Sequence, residues 1–335
     1  MLAPIAWRTP PLHYGPWEWI VSQLTENLIE RGIEVTLFAT GNSRTRAKLQ
    51  WVCLNPYEED KSIEPKVWEC LHISNVFEQA DQFELIHNHY DFLPISYSAL
   101  VKTPLLTTIH GFSSEKIFPV YRKYNERTYY VAISKADRKP QLDYIATIYH
   151  GIPVELYKFN RNPGDYLLVF GRIHPDKGIH EAIQIAKKVN LPLIIAGIIQ
   201  DKVYFDKEIL PHVDGERVKY IGPVDSSRKS DVLGGALALL HLINFNEPFG
   251  LSVIESMACG TPVVAMRRGS MPELIKEAKT GFLVDSLEEA QEKIAKINSI
   301  NRFLCRKHVQ DHFSVKKMTD KYIKVYKKIL KKGTK

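Results

Sequence analysis

Short apolar runs and stretches with apolar residues at every third or fourth position take turns along the chain, as strands alternating with amphipathic helices do. The first run, Leu2 to Trp7, meets Arg8-Thr9-Pro10-Pro11, which ends any strand. It reads as the back half of a strand whose front half is missing, so Met1 is read as an internal start or an artificial boundary. Ile20, Leu24, Leu28 and Ile29 mark a helical face that stops at Arg31-Gly32, and Glu34 to Ala39 follows as a strand. Strands or strand ends recur at Leu85 to His87, Pro104 to His110 and Tyr129 to Ile133. Beyond His150 the period restarts with strand Tyr166 to Gly171, helix His180 to Val189 and strands Pro192 to Gly197, Val218 to Ile221 and Ala236 to Leu242. Helix Ser252 to Cys259 and strand Pro262 to Ala265 complete the series. This alternation predicts two doubly wound α/β domains, 1–150 and 151–314, joined where Gly151, Pro153, Pro163 and Gly164 cluster. A last amphipathic helix, about 315–332, carries Met318, Tyr322, Val325, Tyr326 and Ile329 on one stripe and lysines elsewhere. It is expected to pack on the body, back on the first domain, with an anionic membrane surface as the alternative partner.

Composition narrows the class. At 335 residues, 44% hydrophobic and 25% charged, the chain can bury two cores and is too polar to be membrane-spanning. The net charge of +7 is local: residues 1–150 hold 15 Lys+Arg against 17 Asp+Glu, whereas Lys316 to Lys335 holds nine lysines and one aspartate. A basic tail instead of a basic groove argues against a nucleic-acid partner. Cys53, Cys70, Cys259 and Cys305 show no zinc or disulfide spacing, and the start lacks a secretory leader, so a reducing cytoplasm is expected.

Candidate chemistry concentrates in the second half. In Asn246-Glu247-Pro248-Phe249-Gly250-Leu251-Ser252, Pro248 turns Glu247 away from helical conformation, which puts it just before a helix that contains Glu255. Two carboxylates then flank a helix N-terminus whose free N–H groups favour an anion, so the ligand suggested is part anion, part polyol. A plain helix cap with a solvent-facing glutamate is the simpler alternative. Phe170-Gly171-Arg172 ends one strand and Asp176-Lys177-Gly178 opens the next helix, which sets two cations at the strand ends to meet a diphosphate.

These segments, with Met257-Ala258-Cys259-Gly260-Thr261-Pro262, Gly269-Ser270-Met271-Pro272-Glu273 and Gly281-Phe282-Leu283, resemble the C-terminal half of family 4 retaining glycosyltransferases. Pro10-Pro11-Leu12-His13-Tyr14-Gly15, His87-Asn88-His89 and Thr108-Ile109-His110-Gly111 resemble the N-terminal half. The resemblance implies the GT-B architecture: two facing Rossmann-like domains, acceptor-side and donor-side, with an interdomain cleft. It further implies a nucleoside diphosphate sugar as donor, a glycan, glycolipid or small hydroxyl compound as acceptor, and no cofactor or metal. Glu255 would bind the ribose, Glu247 the transferred sugar, and the backbone of Phe249, Gly250 and Leu251 the donor. Gly171, Arg172 and Lys177 would serve the diphosphate, Gly15 would approach the phosphates, and His110 would sit over the sugar. Tyr14, His87 and His89 are the acceptor-side candidates. Transfer would proceed with retention by front-face displacement. The family loop commonly has paired glycines, whereas here Pro16 follows Gly15, which removes one N–H and stiffens the turn.

Rival readings are a metallohydrolase using His87, His89 and His110 as ligands, and a non-catalytic nucleotide-sugar-binding protein. A dinucleotide-dependent dehydrogenase is disfavoured because no G-x-G-x-x-G follows a strand. A phosphorylase of the same architecture would be far longer.

Overall fold

Parallel strands build both halves of the chain in the computed structural model, which describes residues 1–112 and 114–332. Residues 333–335, part of the lysine-rich tail, lie outside the described residues. Two units result: Met1–Gly151 together with the terminal helix Val315–Lys332, and Ile152–Ser314.

The first unit holds β1 (Thr36–Phe38), β2 (Lys48–Gln50), β3 (Ile86–Asn88), β4 (Leu105–Ile109), β5 (Tyr129–Ala132) and β6 (Tyr144–Thr147). β1 pairs with β2, and β3 to β6 pair in order, all parallel. Leu2 bridges β1 and β3, so the two pieces form one sheet. Its N–H donates to the His87 carbonyl at 2.9 Å and its carbonyl accepts from the His89 N–H at 3.0 Å. The expected first strand shrinks to these bridges because Pro4 has no N–H to extend the ladder. Leu2 and Phe38 face one core with Ile73, Val76 and Ile86, while Ala3 and Leu37 face the other with Val21, as strand alternation requires. The first helix runs Pro16–Ile29, and the terminal helix packs against it, with Arg31 meeting Asp320 at 3.1 Å.

In the second unit, β7 (Leu167–Phe170), β8 (Leu193–Ala196), β9 (Val218–Tyr220), β10 (Ala238–His241), β11 (Val263–Met266) and β12 (Gly281–Val284) are ordered β12-β11-β10-β7-β8-β9. The chain therefore builds outward from β7 in one direction, returns, and builds outward in the other, which creates a switch point between β7 and β10. Leu167, Leu168, Val263, Val264 and Ala265 are wholly buried because helices cover both faces of a parallel sheet. The Ile152 N–H donates to the Phe313 carbonyl at 2.9 Å, so the unit's entry and exit lie side by side.

The strands and helices that the sequence pattern placed after the first apolar run are found, with ends moved in or out by up to three residues. The pattern missed, among others, β2, β6, β12 and the helices Pro65–Phe77, Ser226–Gly235, Leu287–Ala295 and Arg302–His312. The helix Pro65–Phe77 buries His72, Ile73, Val76 and Phe77 yet leaves Val67 and Leu71 exposed, so no clean apolar stripe announces it.

Candidate functional site

Two loops leave the carboxyl ends of β7 and β10, the edge at which open parallel sheets take ligands. The first carries Gly171, Arg172 and Lys177; the second carries Glu247 and leads to the helix Leu251–Ala258. Backbone contacts bind them together. The Asn244 N–H donates to the Asp176 carbonyl at 2.8 Å, and the Ser270 N–H to the Glu247 carbonyl at 3.0 Å. Gly178, at φ +64°, packs so closely on the Leu242 carbonyl that a Cβ there would clash. With the loops held this way, Lys177 Nζ lies 2.5 Å from Glu247 Oε2. His241 ends β10 with Nε2 3.6 Å from the same oxygen. Burial pushes the Glu247 carboxyl up, but His241 and Lys177 outweigh it and hold it down at about 2. Arg172 is held by the Gln200 side chain and lies 3.5 Å from Asp176.

Gly250, at φ +105°, caps the helix Leu251–Ala258 without a side chain, so no side-chain oxygen competes for its first-turn N–H groups. The Ser270 hydroxyl donates to the Phe249 carbonyl and fixes the preceding turn. Glu255 is 4% exposed; its Oε1 accepts from the Tyr157 hydroxyl at 2.7 Å and from Lys229 Nζ at 3.0 Å. Burial and then the adjacent Glu255 hold the Tyr157 hydroxyl well above its usual value, so it stays a donor. Neither glutamate faces solvent, which removes the simple cap reading for both. Sequence reasoning missed Tyr157, Lys229 and His241. Lys229 sits in Ser226-Ser227-Arg228-Lys229, which reads as any exposed helix start.

In the first unit, His87, His89, His110 and His150 form a buried chain. His89 Nδ1 lies 2.9 Å from His110 Nε2, His110 Nδ1 lies 3.2 Å from His150 Nε2, and His89 Nε2 lies 3.4 Å from His87 Nδ1. The terminal helix inserts two hydroxyls. Tyr326 reaches His87 Nδ1 at 2.7 Å, and Tyr322 reaches Thr108 Oγ1, itself on His87 Nε2, at 2.8 Å in each case. The Trp17 ring stacks on His110 with centroids 5.2 Å apart. Burial, more than neighbouring charge, pushes His87, His89 and His110 well below the usual histidine value, and His150 to about 3. A neutral imidazole has one donor and one acceptor, so His89, His110 and His150 share a single direction of donation. Their nitrogens point at one another and do not converge: among the described residues no three His, Cys, Asp or Glu side chains are disposed to hold a metal ion. The metallohydrolase reading thus lacks a ligand set.

Gly15, at φ +143°, is wedged where a Cβ would lie 2.9 Å from Pro11 Cβ, and the Tyr14 ring meets Trp7 edge-on at 6.0 Å. Beside them is Glu18, which the sequence reading passed over. Burial raises its carboxyl to about 7, and its Oε1 accepts from the Trp7 N–H at 3.3 Å. A glutamate three residues after a helix cap was the available signal.

The two Rossmann-like sheets match GT-B glycosyltransferase structures. The sucrose-phosphate synthase of Thermosynechococcus elongatus superposes with a TM-score of 0.81 at 17% identity over 99% of this chain and 98% of that one. Anabaena HepE, solved with UDP-glucose, gives 0.73 at 18% identity over 94% and 97%. AviGT4, from avilamycin A biosynthesis, gives 0.72 at 22% identity over 99% and 98%. Residues 158–307 match the family "Glycosyl transferases group 1" and residues 18–155 match "Glycosyltransferase Family 4". The chain belongs to these glycosyltransferase families. The D-inositol 3-phosphate glycosyltransferase of Pseudarthrobacter chlorophenolicus is 23% identical over 79% of this chain and 77% of its own. A probable sucrose-phosphate synthase of Thermosipho melanesiensis is 23% identical over 54% of this chain and 45% of its own. The matched stretch spans just under half the length of the first curated relatives.

Proposed function

We propose that this glycosyltransferase moves a hexose from a nucleoside diphosphate sugar to a hydroxyl acceptor with retention and without a metal ion. The observation that carries this reading is the Lys177–Glu247 pair at the switch point, beside a helix N-terminus capped only by Gly250. A diphosphate takes Lys177 and Arg172 together with the helix N–H groups, and the sugar hydroxyls donate to the freed Glu247 carboxylate. Glu255, steadied by Tyr157 and Lys229, accepts from the ribose hydroxyls through its remaining lone pairs. The solved HepE complexes with UDP and UDP-glucose support a donor of this class. In the transfer step the anomeric C–O bond to phosphate breaks while the acceptor oxygen bonds to the same face. The departing phosphate takes the acceptor proton. Stabilising that phosphate is the main task of the protein, and the two cations and the helix terminus supply the charge.

Screening UDP, GDP and ADP sugars for binding, for slow hydrolysis and for transfer, with and without excess chelator, tests the reading. Chelator-insensitive turnover of one donor with an α-to-α outcome is expected from an α-linked sugar. Absence of binding by every nucleotide sugar overturns it.

For location, no helix among the described residues is long and apolar enough to cross a membrane. The terminal helix turns Lys316, Lys317, Lys321, Lys324, Lys327, Lys328, Lys331 and Lys332 outward. This stripe suits an anionic lipid surface near a lipid-linked acceptor. Salt-sensitive binding to phosphatidylglycerol vesicles, absent with neutral vesicles, is the expected result.

A further inference from the structure

The Lys177–Glu247 pair has a consequence for the donor-bound state. If the diphosphate draws Lys177 away, Glu247 loses its closest cation in a mostly buried site, where an uncompensated carboxylate is costly. One buried group stands ready to take that place. His241 is 6% exposed, sits at the carboxyl end of β10, and its Nε2 has no hydrogen-bond partner. The 3.6 Å gap to Glu247 Oε2 is just beyond hydrogen-bond length, so a shift of a few tenths of an ångström closes it. An orphaned polar atom at a buried strand end calls for an explanation, since most such atoms in native structures are paired.

We propose that His241 is a positioning residue for Glu247: when Lys177 engages the diphosphate, the His241 Nε2–H donates to Glu247 and holds its carboxylate toward the transferred sugar. The reading of the site as a nucleoside diphosphate sugar site underlies this role. The imidazole acts as a neutral donor. Its burial lowers its proton affinity, which Glu247 partly restores and Lys177 lowers further; these are the charged groups that act on it. In the free site both groups act on this carboxylate, and with the donor loaded His241 remains and moves into full hydrogen-bond contact, so Glu247 never stands alone.

Three proteins test this: the native chain, His241→Phe, which keeps a ring but removes the donor, and His241→Gln, which returns an N–H near the Nε2 position. UDP, which carries no sugar, should bind all three within about twofold, because its phosphates use Lys177. With the sugar nucleotide that the native protein turns over, His241→Phe should lose roughly ten- to a hundredfold in kcat, the scale of one hydrogen bond to a charged group. His241→Gln should recover most of that loss. The acid limb of the kcat profile should move to higher pH in His241→Phe, because Glu247 then holds its proton more tightly. Native-like kcat in His241→Phe overturns the proposal, and so does joint loss of UDP binding and kcat in both variants, which marks a packing role. Failure of the native protein to bind any nucleoside diphosphate overturns the underlying reading as well.

Discussion

The two units bury polar groups in opposite ways. The first unit buries a neutral network in which four histidines, two tyrosines and Thr108 are linked in series, with Trp17 stacked on His110. The second unit buries charges in pairs, Lys177 with Glu247 and Lys229 with Glu255. A neutral network resists a charged ligand, because a new charge finds nothing in it to balance it. An ion pair beside a helix terminus can open, because a ligand carrying both a phosphate and hydroxyls replaces each partner in kind. The contrast leaves exchangeable buried charges in the second unit and fixed, uncharged polar groups in the first.

The sharpest way to break this comparison is Glu247→Ala. If Glu247 serves the sugar as its anomeric carbon gains positive charge, kcat should fall by about a hundredfold or more while UDP affinity changes little. Equal loss of UDP binding would show that the pair is a structural clamp. Next in size is Lys177→Ala, expected to weaken nucleoside diphosphate binding by roughly tenfold or more and monophosphate binding much less, since the lysine serves the second phosphate. Isothermal titration with UDP and UMP reads the difference, and equal losses would remove Lys177 from that role.

Acid separates the units by a different property. His72, His87, His89, His110 and His150 all have folded values below their unfolded ones, His72 at about 4 and His150 at about 3, because burial disfavours the imidazolium. The unfolded chain takes up protons below about pH 6.5 that the folded first unit refuses, so its stability falls as pH drops from there toward 4. Glu18 and Asp137, raised by burial to about 7, act in the opposite sense and offset part of this loss. In the second unit His241 and His308 shift as the histidines of the first do, and Glu247, at about 2, keeps its charge throughout that window. Hydrogen exchange between pH 7 and 4.5 should therefore show the first unit opening before the second. Simultaneous loss of protection would contradict the contrast.

The smallest expected effect sharpens it further. Tyr326→Phe removes one hydroxyl from His87 and should cost about 1 kcal/mol of stability. The change should be confined to the first unit, with UDP affinity unaltered, as paired denaturation and titration curves would show.

Much of the second unit was legible because its elements are local. Leu167 to Phe170 and Val263 to Met266 are apolar runs bounded by turn residues, and Glu247-Pro248-Phe249-Gly250 announces a helix start through backbone preferences alone. Nothing local marked Lys229 or Tyr157 as partners of Glu255, which are 26 and 98 residues away from it. Pro65–Phe77 stayed unread because its exposed Val67 and Leu71 blur the stripe made by Ile73, Val76 and Phe77.

The histidines divide along the same line. His87, His89 and His110 stood out by spacing at strand ends, and three imidazoles near one another suggested metal. Whether nitrogens converge on a point or hydrogen-bond in series depends on ring orientation, which residue order does not encode. By itself the chain determined its alternating strands and helices, its division near residue 150, and which residues lie on the loops after β7 and β10. Tertiary structure alone decided that those loops meet across the switch point, that Tyr322 and Tyr326 enter the histidine chain from 239 residues away in the case of His87, and that His241 waits beside Glu247. The reason is physical. Backbone preference and apolar periodicity act over a few neighbouring residues, whereas ion pairs and hydrogen-bond chains form only after distant segments have been packed against one another.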